Sequence, residues 1–579
     1  MRTYNERSWH IQAKITKKKR QHRIAVSAVS LTCCLILGLV LFLPYDHQAP
    51  SASQYRGSEY YPLIQKLNQL SYQAPSYNNN FEKWFFSDLS PNYAGTTYYG
   101  TGVPESKETN GTYQEVTDNQ VQGVTEADLI KRSDSHIFYL RDHVLSAYSI
   151  QGQDSRFVSS YAVIPQIPPG DKSSYYNQEM YLSQDCTTIT VISNFCTINN
   201  YRRYVYILSL DVTDPKNITK KGELFLSGRY YTSRVTDGKL YLICRHYLRN
   251  ELDLSDESSY LPGYGTPGDM TYLPMEDIIL PETPTSSQYT NVFQLDEQTL
   301  KLEDCTALLS YDGAVYASQE NIYLARSYIN NDLSTQTEIT QLSYGEDGLT
   351  NQGSFQIEGR VKDQYSMDEK DGILRIVTST QRDGTTNASL YCIDLTNHSI
   401  RASVENFAPK DESVRSVRFD GDKAYVCTSV VLKDPVFFFD LSDLDHITYK
   451  DTGTIDGYSM SLVDFSEGYL MGIGCGSSFD TLKIEIYREG ETSVESHCKY
   501  ELENVSFSSD YKAYYIDREN QLIGLGIWGT RYILLYFDGY ELVEIMNIPL
   551  ECNNDTVRAV YIDGYLYVLG KEFTVHKVD

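Results

Sequence analysis

Several residue patterns that usually betray chemistry are missing from this chain. Of 579 residues only 10 are His and 3 are Trp. No HExxH, GxSxG or Gly-rich phosphate loop opening a helix occurs, so the common signatures of zinc proteases, serine hydrolases and nucleotide-binding enzymes are absent. The 11 cysteines contain no CxxC and no Cys/His cluster, and a zinc site is not supported. Basic charge is also scarce. Eight Lys/Arg and one acid lie within the first 43 residues, and the remaining 42 basic and 76 acidic residues carry −34. Such a body repels nucleic acid and anionic headgroups at long range, which argues against a nucleic-acid partner.

What is present begins with one long apolar run. Ile24 to Leu43 reads IAVSAVSLTCCLILGLVLFL without a charge, close to the length that crosses a bilayer core. Lys17, Lys18, Lys19, Arg20 and Arg23 precede it, and Lys/Arg excess stays cytoplasmic. The expectation is a basic cytoplasmic tail over 1–23, a transmembrane helix over 24–43 and everything later outside the cell. The alternative is secretion after signal-peptide cleavage. Against it, the run is longer than a signal-peptide core, and Pro50 interrupts the only small-residue stretch.

Residues 44–118 are rich in Tyr, Ser and Asn and form an extracytoplasmic leader. Within it, Tyr60–Leu70 places Leu63, Leu67 and Leu70 on one helical face. Phe81, Trp84, Phe85 and Phe86 make an aromatic cluster expected to pin the leader onto the body.

The rest of the chain repeats. Nine short turns, each followed by an aromatic or β-branched strand, fall at Ser133–Asp134, Gln184–Asp185, Asp237–Gly238, Glu320–Asn321, Asp371–Gly372, Asp420–Gly421, Glu467–Gly468, Glu519–Asn520 and Asp563–Gly564. The steps are about 50 residues with one longer exception, which is the period of a β-propeller blade. The unit from Ser413 shows the grammar: VRSVRF, a turn, AYVCTSVV, DPVFFFDLSD and ITYKDTGTI. Aspartates after the third strand, as in LSLDVTDP, read as turn caps rather than calcium ligands. The last unit supplies three strands before Asp579. A strand from the leader, with Thr96–Thr101 as candidate, would complete it, because closure removes exposed edges.

The long step holds an acidic, Pro-rich insertion over 247–288 with eight acids and one base, Arg249. Dense proline disfavours a helix or central strand, so a rim loop is expected whose deletion leaves melting nearly unchanged. His136, His143 and His246 share no ligand spacing and read as strand-edge or solvated residues. Cys244, Cys392, Cys427 and Cys475 fall in apolar strands and read as buried thiols, with Cys186–Cys196 the one disulfide candidate. The 50 tyrosines suit strands first and a binding platform second.

The passage TDNQVQGVTEADLIKRSDSHIFYL, Thr117 to Leu140, resembles the opening signature NxQVxGVDEADxVKTDGxYIY of a bacterial family of secreted or membrane-anchored proteins with a C-terminal β-propeller domain. Thr125 stands where that family has Asp, and Arg132-Ser133 departs from its Thr-Asp-Gly turn. QYSMDEKDGILRIVTST and SVRFDGDKAYVCTSVVLKDPVFFFDLSD agree as well. The resemblance implies a propeller and an extracytoplasmic place, and carries no catalytic residues with it. Gly123, Glu126 and Asp128 are expected to help close the first blade.

The sequence thus predicts an all-β protein: one β-propeller over 119–579, of about nine four-stranded blades or eight if terminal units merge, after one transmembrane helix. No catalytic, cofactor or metal residues are expected. The expected function is non-catalytic binding or scaffolding of protein, peptide or glycan by a monomer at the cell membrane. The alternative is a hydrolase or lyase that uses carboxylates at the channel mouth on polysaccharide or peptide.

Overall fold

Each of the nine turns joins the first strand of a sheet to its second, and there are nine such antiparallel sheets. The structure is a computed structural model that describes residues 57–73, 113–114, 119–165, 173–197, 202–248, 253, 255–282, 286–310, 313–330, 332–382, 384–430, 433–452, 455–490, 493–550 and 556–578. Blade one spans 130–162, two 173–227, three 229–309, four 314–358, five 360–404, six 413–451, seven 458–502, eight 514–549 and nine 558–577. The turns follow local backbone chemistry. At Asp237–Gly238, Asp371–Gly372 and Asp563–Gly564 both central residues have positive φ, the condition of the type I′ hairpin that matches strand twist. Asp211, Asp394 and Asp440 accept the amide two residues on at 2.9, 2.8 and 3.0 Å, so these aspartates are turn caps.

Nine apolar clusters lie between the blades, one per joint. A second strand packed on both faces is buried at nearly every position, as Thr188–Thr197 is, and its Thr, Ser and Asn side chains are buried with the apolar ones. The same strand also reaches the next blade through a polar side chain. Tyr323 donates to Glu369 at 2.6 Å, Tyr425 to Glu489 at 2.7 Å, and Arg375 to the Gly421 carbonyl at 2.6 Å. The joint between blades nine and one is built alike: Gly152 N donates to Tyr567 Oη at 3.0 Å, above a core of Ile137, Tyr139, Val560 and Leu569. The ring therefore closes at nine blades, not eight. Many of the tyrosines serve these joints. Tyr181, Tyr206, Tyr241, Tyr289, Tyr316, Tyr323, Tyr425, Tyr487, Tyr532 and Tyr567 are among the largest fully buried side chains.

Blade nine has three strands among the described residues, Arg558–Ile562, Tyr565–Leu569 and Phe573–Lys577. The expected donor Thr96–Thr101, the apolar run 24–43 and the aromatic cluster at 81–86 lie outside the described residues.

Two expectations are corrected. The 247–288 insertion is more than a rim loop. Gly263–Thr266 and Asp269–Tyr272 form a hairpin around Pro267 that extends the outer edge of blade two, and Ile278–Ile279 pairs in parallel with blade three. Proline is tolerated because it falls outside these strands, Pro267 in the hairpin turn and Pro274 at the cap of the 3₁₀ turn Met275–Asp277. Leu261 and Leu273 are fully buried in one cluster with Leu63 and Leu67 of the helix Tyr61–Gln73, so leader and insertion share a core. The Cys186–Cys196 bridge is also ruled out. Cys186 sits in the turn before Thr188–Thr197 and Cys196 near that strand's far end. At about 3.3 Å per residue they stand roughly 30 Å apart, against the ~5.5 Å between Cα atoms that a disulfide needs. Cys244, Cys392, Cys427 and Cys475 are buried.

Candidate functional site

The segment Asn119–Asp128 runs through the middle of the ring. Gly123, with φ of +79°, makes the tight turn that lets Val124 N reach Val121 O at 3.1 Å. Thr125 then exchanges both backbone bonds with Val235 of blade three, and Asp128 does the same with Met180 of blade two. Gln120 donates to the Gln364 and Met367 carbonyls of blade five at 3.1 and 3.2 Å. Gln319 of blade four donates to the Gln122 carbonyl at 3.0 Å. Blades eight and nine, across the ring, are reached through Tyr511, Lys512 and Arg558. A segment that touches blades on opposite sides of a ring must lie on its axis. The chain plugs its own channel.

Glu126 is the centre of the plug, 2% exposed. Its carboxylate pairs with Arg234 at 3.2 Å, accepts from Gln364 at 3.2 Å and accepts a short hydrogen bond from Tyr511. Its backbone amide donates to Asn119 Oδ1 at 2.7 Å and its carbonyl accepts Lys131 Nζ at 2.9 Å. Lys512 donates to the Ala127 carbonyl and to Glu179, both at 2.7 Å. Asp128, 3% exposed, pairs with Arg558 at 2.9 Å, and Arg558 also lies 3.6 Å from Asp510. Carboxylates of Glu126, Asp128, Glu179 and Asp510 are thereby matched by Arg234, Lys512 and Arg558, while Lys131 donates to the Glu126 backbone carbonyl. Burial works to raise the Glu126 carboxyl, but Arg234, Lys512 and the Tyr511 and Gln364 hydrogen bonds outweigh it and hold it below the usual range. Burial works the other way on Lys512, where Glu179 and Glu126 lead the carboxylates that keep its ammonium above the ordinary value.

Local structure explains how the partners are aimed. Gln364–Ser366 and Tyr511–Ala513 are single 3₁₀ turns before the inner strands of blades five and eight, capped by Asp363 and Asp510. Each turn points its side chains at the axis. Of the residues marked in the sequence, Gly123, Glu126 and Asp128 do come together, and their reach extends to blades two, three, five, eight and nine rather than the first blade alone. Gln364, Tyr511, Lys512, Arg234 and Arg558 were not singled out. Their local signals are the motif KDQYSM and its counterpart SDYKAYYI, and a basic residue in the inner strand before a turn (SRVTDG, VRAVYIDG).

His136 and His143 stay at one hairpin of blade one, while His246 is in blade three beside the Tyr289 ring, 6.2 Å away. Burial pushes the His246 imidazole down to about 4. Among the described residues no group of three or more His, Cys, Asp or Glu is placed to hold a metal ion.

One carboxyl departs in the opposite direction. Glu297, in the turn between the third and fourth strands of blade three, is raised from 4.5 to about 7, by burial first and then by Asp185 and Asp296. A raised acid favours folding least when it is charged, so stability is expected to fall as pH climbs from about 4.5 to 7 and to stay low above. Glu297→Gln removes that slope. In chemical denaturation it is expected to exceed the native chain at pH 8 by on the order of 2–3 kcal/mol and to match it near pH 4. Equal stability at pH 8 would show that Glu297 is not so perturbed.

A nine-bladed propeller with its axis occupied by its own segment Asn119–Asp128 defines the class of this protein. The chain belongs to the family described as Beta propeller domain, whose model matches residues 115–573. It is similar to an uncharacterised protein of Archaeoglobus fulgidus, 22% identical, covering 82% of this chain and 84% of that one. An uncharacterised protein of Methanocaldococcus jannaschii is also 22% identical, over 78% and 79% of the two chains. Among solved structures, the dihydro-heme d1 dehydrogenase NirN matches with a TM-score of 0.31 at 12% identity over 74% and 73% of the two chains. The Dos1 propeller matches at 0.30 and 9% identity over 62% and 76%.

Proposed function

We propose that the protein is a single-pass, membrane-anchored and extracytoplasmic β-propeller that binds a protein, peptide or glycan without turning it over. The observation that carries this reading is the plug. The carboxylates that converge at the axis are committed to cations and hydrogen bonds, so a ligand has the rims and blade edges to bind, not the channel. The apolar run at 24–43 and the basic residues before it supply the anchor. Among the described residues no helix is long and apolar enough to cross a membrane, and that run lies outside them. The acidic body disfavours nucleic acid.

The ectodomain from Pro44 onward, used as bait and then applied to a glycan array, is expected to retain a specific partner that salt of about 0.5 M does not remove. Loss of every partner under both formats rejects the binding role. Alkaline carbonate extraction of membranes is expected to leave the full chain in the pellet, and release into the supernatant supports secretion after cleavage instead. Hydrolysis of polysaccharide or peptide is the second reading, favoured by the raised Glu297 beside Asp185. Glycan turnover abolished by Glu297→Gln would move the assignment there.

A further inference from the structure

One backbone bond recurs in every blade. A residue at the end of the third strand donates its amide to the carbonyl just before the second strand, at 2.7 Å from Leu441 and 3.0 Å from Phe537. Val212, Leu441 and Phe537 show the usual occupant, an apolar side chain buried in a joint. Two of the nine positions are acidic, Glu297 in blade three and Glu489 in blade seven. The same bond fixes both, to Gly238 at 3.0 Å and to Gly468 at 2.8 Å, so the two joints are directly comparable.

In blade seven the acid is answered. Tyr425 donates to Glu489 at 2.7 Å, and Lys423 pairs with it at 3.2 Å. They are the third and first residues of the second strand of the preceding blade. In blade two those positions hold Thr190 and Thr188. Thr190 donates to the Glu297 backbone carbonyl at 3.4 Å, and Thr188 accepts from Lys221 at 2.8 Å, so both hydroxyls are engaged elsewhere. Glu297 is only 9% exposed, yet among the described residues no hydrogen bond or ion pair reaches its carboxylate. The charged groups facing it are Asp185 of blade two, its neighbour Asp296, and Lys131 of blade one. Asp185 is held by Ser183 and Thr187, Asp296 by Thr299, and Lys131 donates to the Glu126 carbonyl. Lys239, beside Asp296, is paired with Glu303. A buried carboxylate left without a partner costs stability, and natural chains carry such a cost where function needs it.

We propose that Glu297 is the counter-ion of a primary ammonium brought by the ligand, either a peptide's lysine side chain or a free polyamine. The inference rests on reading the protein as a non-catalytic binder. Blade seven shows the chemistry, since an ammonium from the same chain meets the equivalent acid there. Asp185 and Asp296 add negative potential around the opening, and a compact ammonium enters a narrow opening more readily than a planar guanidinium.

Equilibrium titration of the full chain with Nα-acetyl-lysine amide, in about 0.15 M salt to screen diffuse attraction, tests the site. Affinity is expected to be about 30-fold weaker at pH 5.5 than at pH 8, the ratio of ionised fractions for a carboxyl raised to about 7. The probe's own ammonium stays charged throughout. Acetylation of its side chain and Glu297→Gln are each expected to weaken binding at least 10-fold. Glu489→Gln, at a site filled from within the chain, is expected to bind as the native chain does. Spermidine forms a parallel arm: binding of either probe with this dependence on Glu297 supports the site, and the tighter one names the source. Affinity that ignores pH or survives Glu297→Gln would overturn the inference. If the ectodomain still retains a partner, the binding role stands without it; if no partner is retained in any format, that role falls too.

Discussion

Glu126→Ala is expected to lower the stability of the ring by about 3–5 kcal/mol, the usual cost of breaking a buried ion pair from one side. The substitution leaves Arg234 and Lys512 buried beside a cavity and removes the acceptor of the Tyr511 hydroxyl. The uncompensated buried charge of Arg234, not lost packing, is the main term. A double variant that also replaces Arg234 with methionine is therefore expected to recover part of the loss, and equilibrium denaturation of the four chains in a double-mutant cycle measures the coupling. A single-variant loss below about 1 kcal/mol would mean that the plug is bystander rather than clasp. The pH dependence has a definite sign. The Glu126 carboxyl is held below its ordinary 4.5, so its contribution is fully present above that value and is lost as pH falls through the depressed one. Glu126→Ala is expected to flatten this acid limb.

Excision of 249–286 is expected to destabilise the fold by about 3–6 kcal/mol, taking roughly 1.5–3 kcal/mol for each of the two buried leucines left without cover. The cut is geometrically simple, because Leu248 N donates to Ser287 O at 3.1 Å and a short Gly/Ser turn bridges the ends. It removes Leu261 and Leu273 and uncovers Leu63 and Leu67. Tyr60 loses its partner Leu273 O and the edge-on contact with Tyr260 at 5.9 Å, and Lys66 loses the Glu282 carbonyl. Thermal unfolding followed by tyrosine absorbance, with protease digestion at the helix Tyr61–Gln73, reads both effects. An unchanged midpoint with a resistant helix would restore the view of the insertion as ornament.

The sequence misjudged that insertion for a physical reason. Proline density correctly argues against central strands, yet a hairpin turn and a 3₁₀ cap accept proline and leave short edge strands between them, and the cluster that buries Leu261 includes a helix some two hundred residues earlier in the chain. The disulfide candidate failed similarly: Cys186 and Cys196 are near in sequence, but an extended strand holds them at opposite ends of a blade. By contrast the nine turns were legible because their chemistry is local. Asp-Gly tolerates positive φ, and alternating or continuous apolar runs report burial on one face or two.

The candidate site was half legible. NQVQGVTEAD drew notice as a motif, and Gly123 demands a turn by itself. Nothing near it in sequence names its partners. Asp128 meets Arg558 across 430 positions, Glu126 meets Tyr511 across 385 and Gln364 across 238. The sequence by itself determined the repeat, the positions of the turns and the buried strands, since backbone preference and side-chain alternation act over a few residues, whereas the choice of nine blades over eight needed the closed ring. The tertiary structure alone decided where the motif lies and what neutralises it. Closing a ring of nine brings inner strands from every part of the chain to one axis, and only there do those distant charges meet.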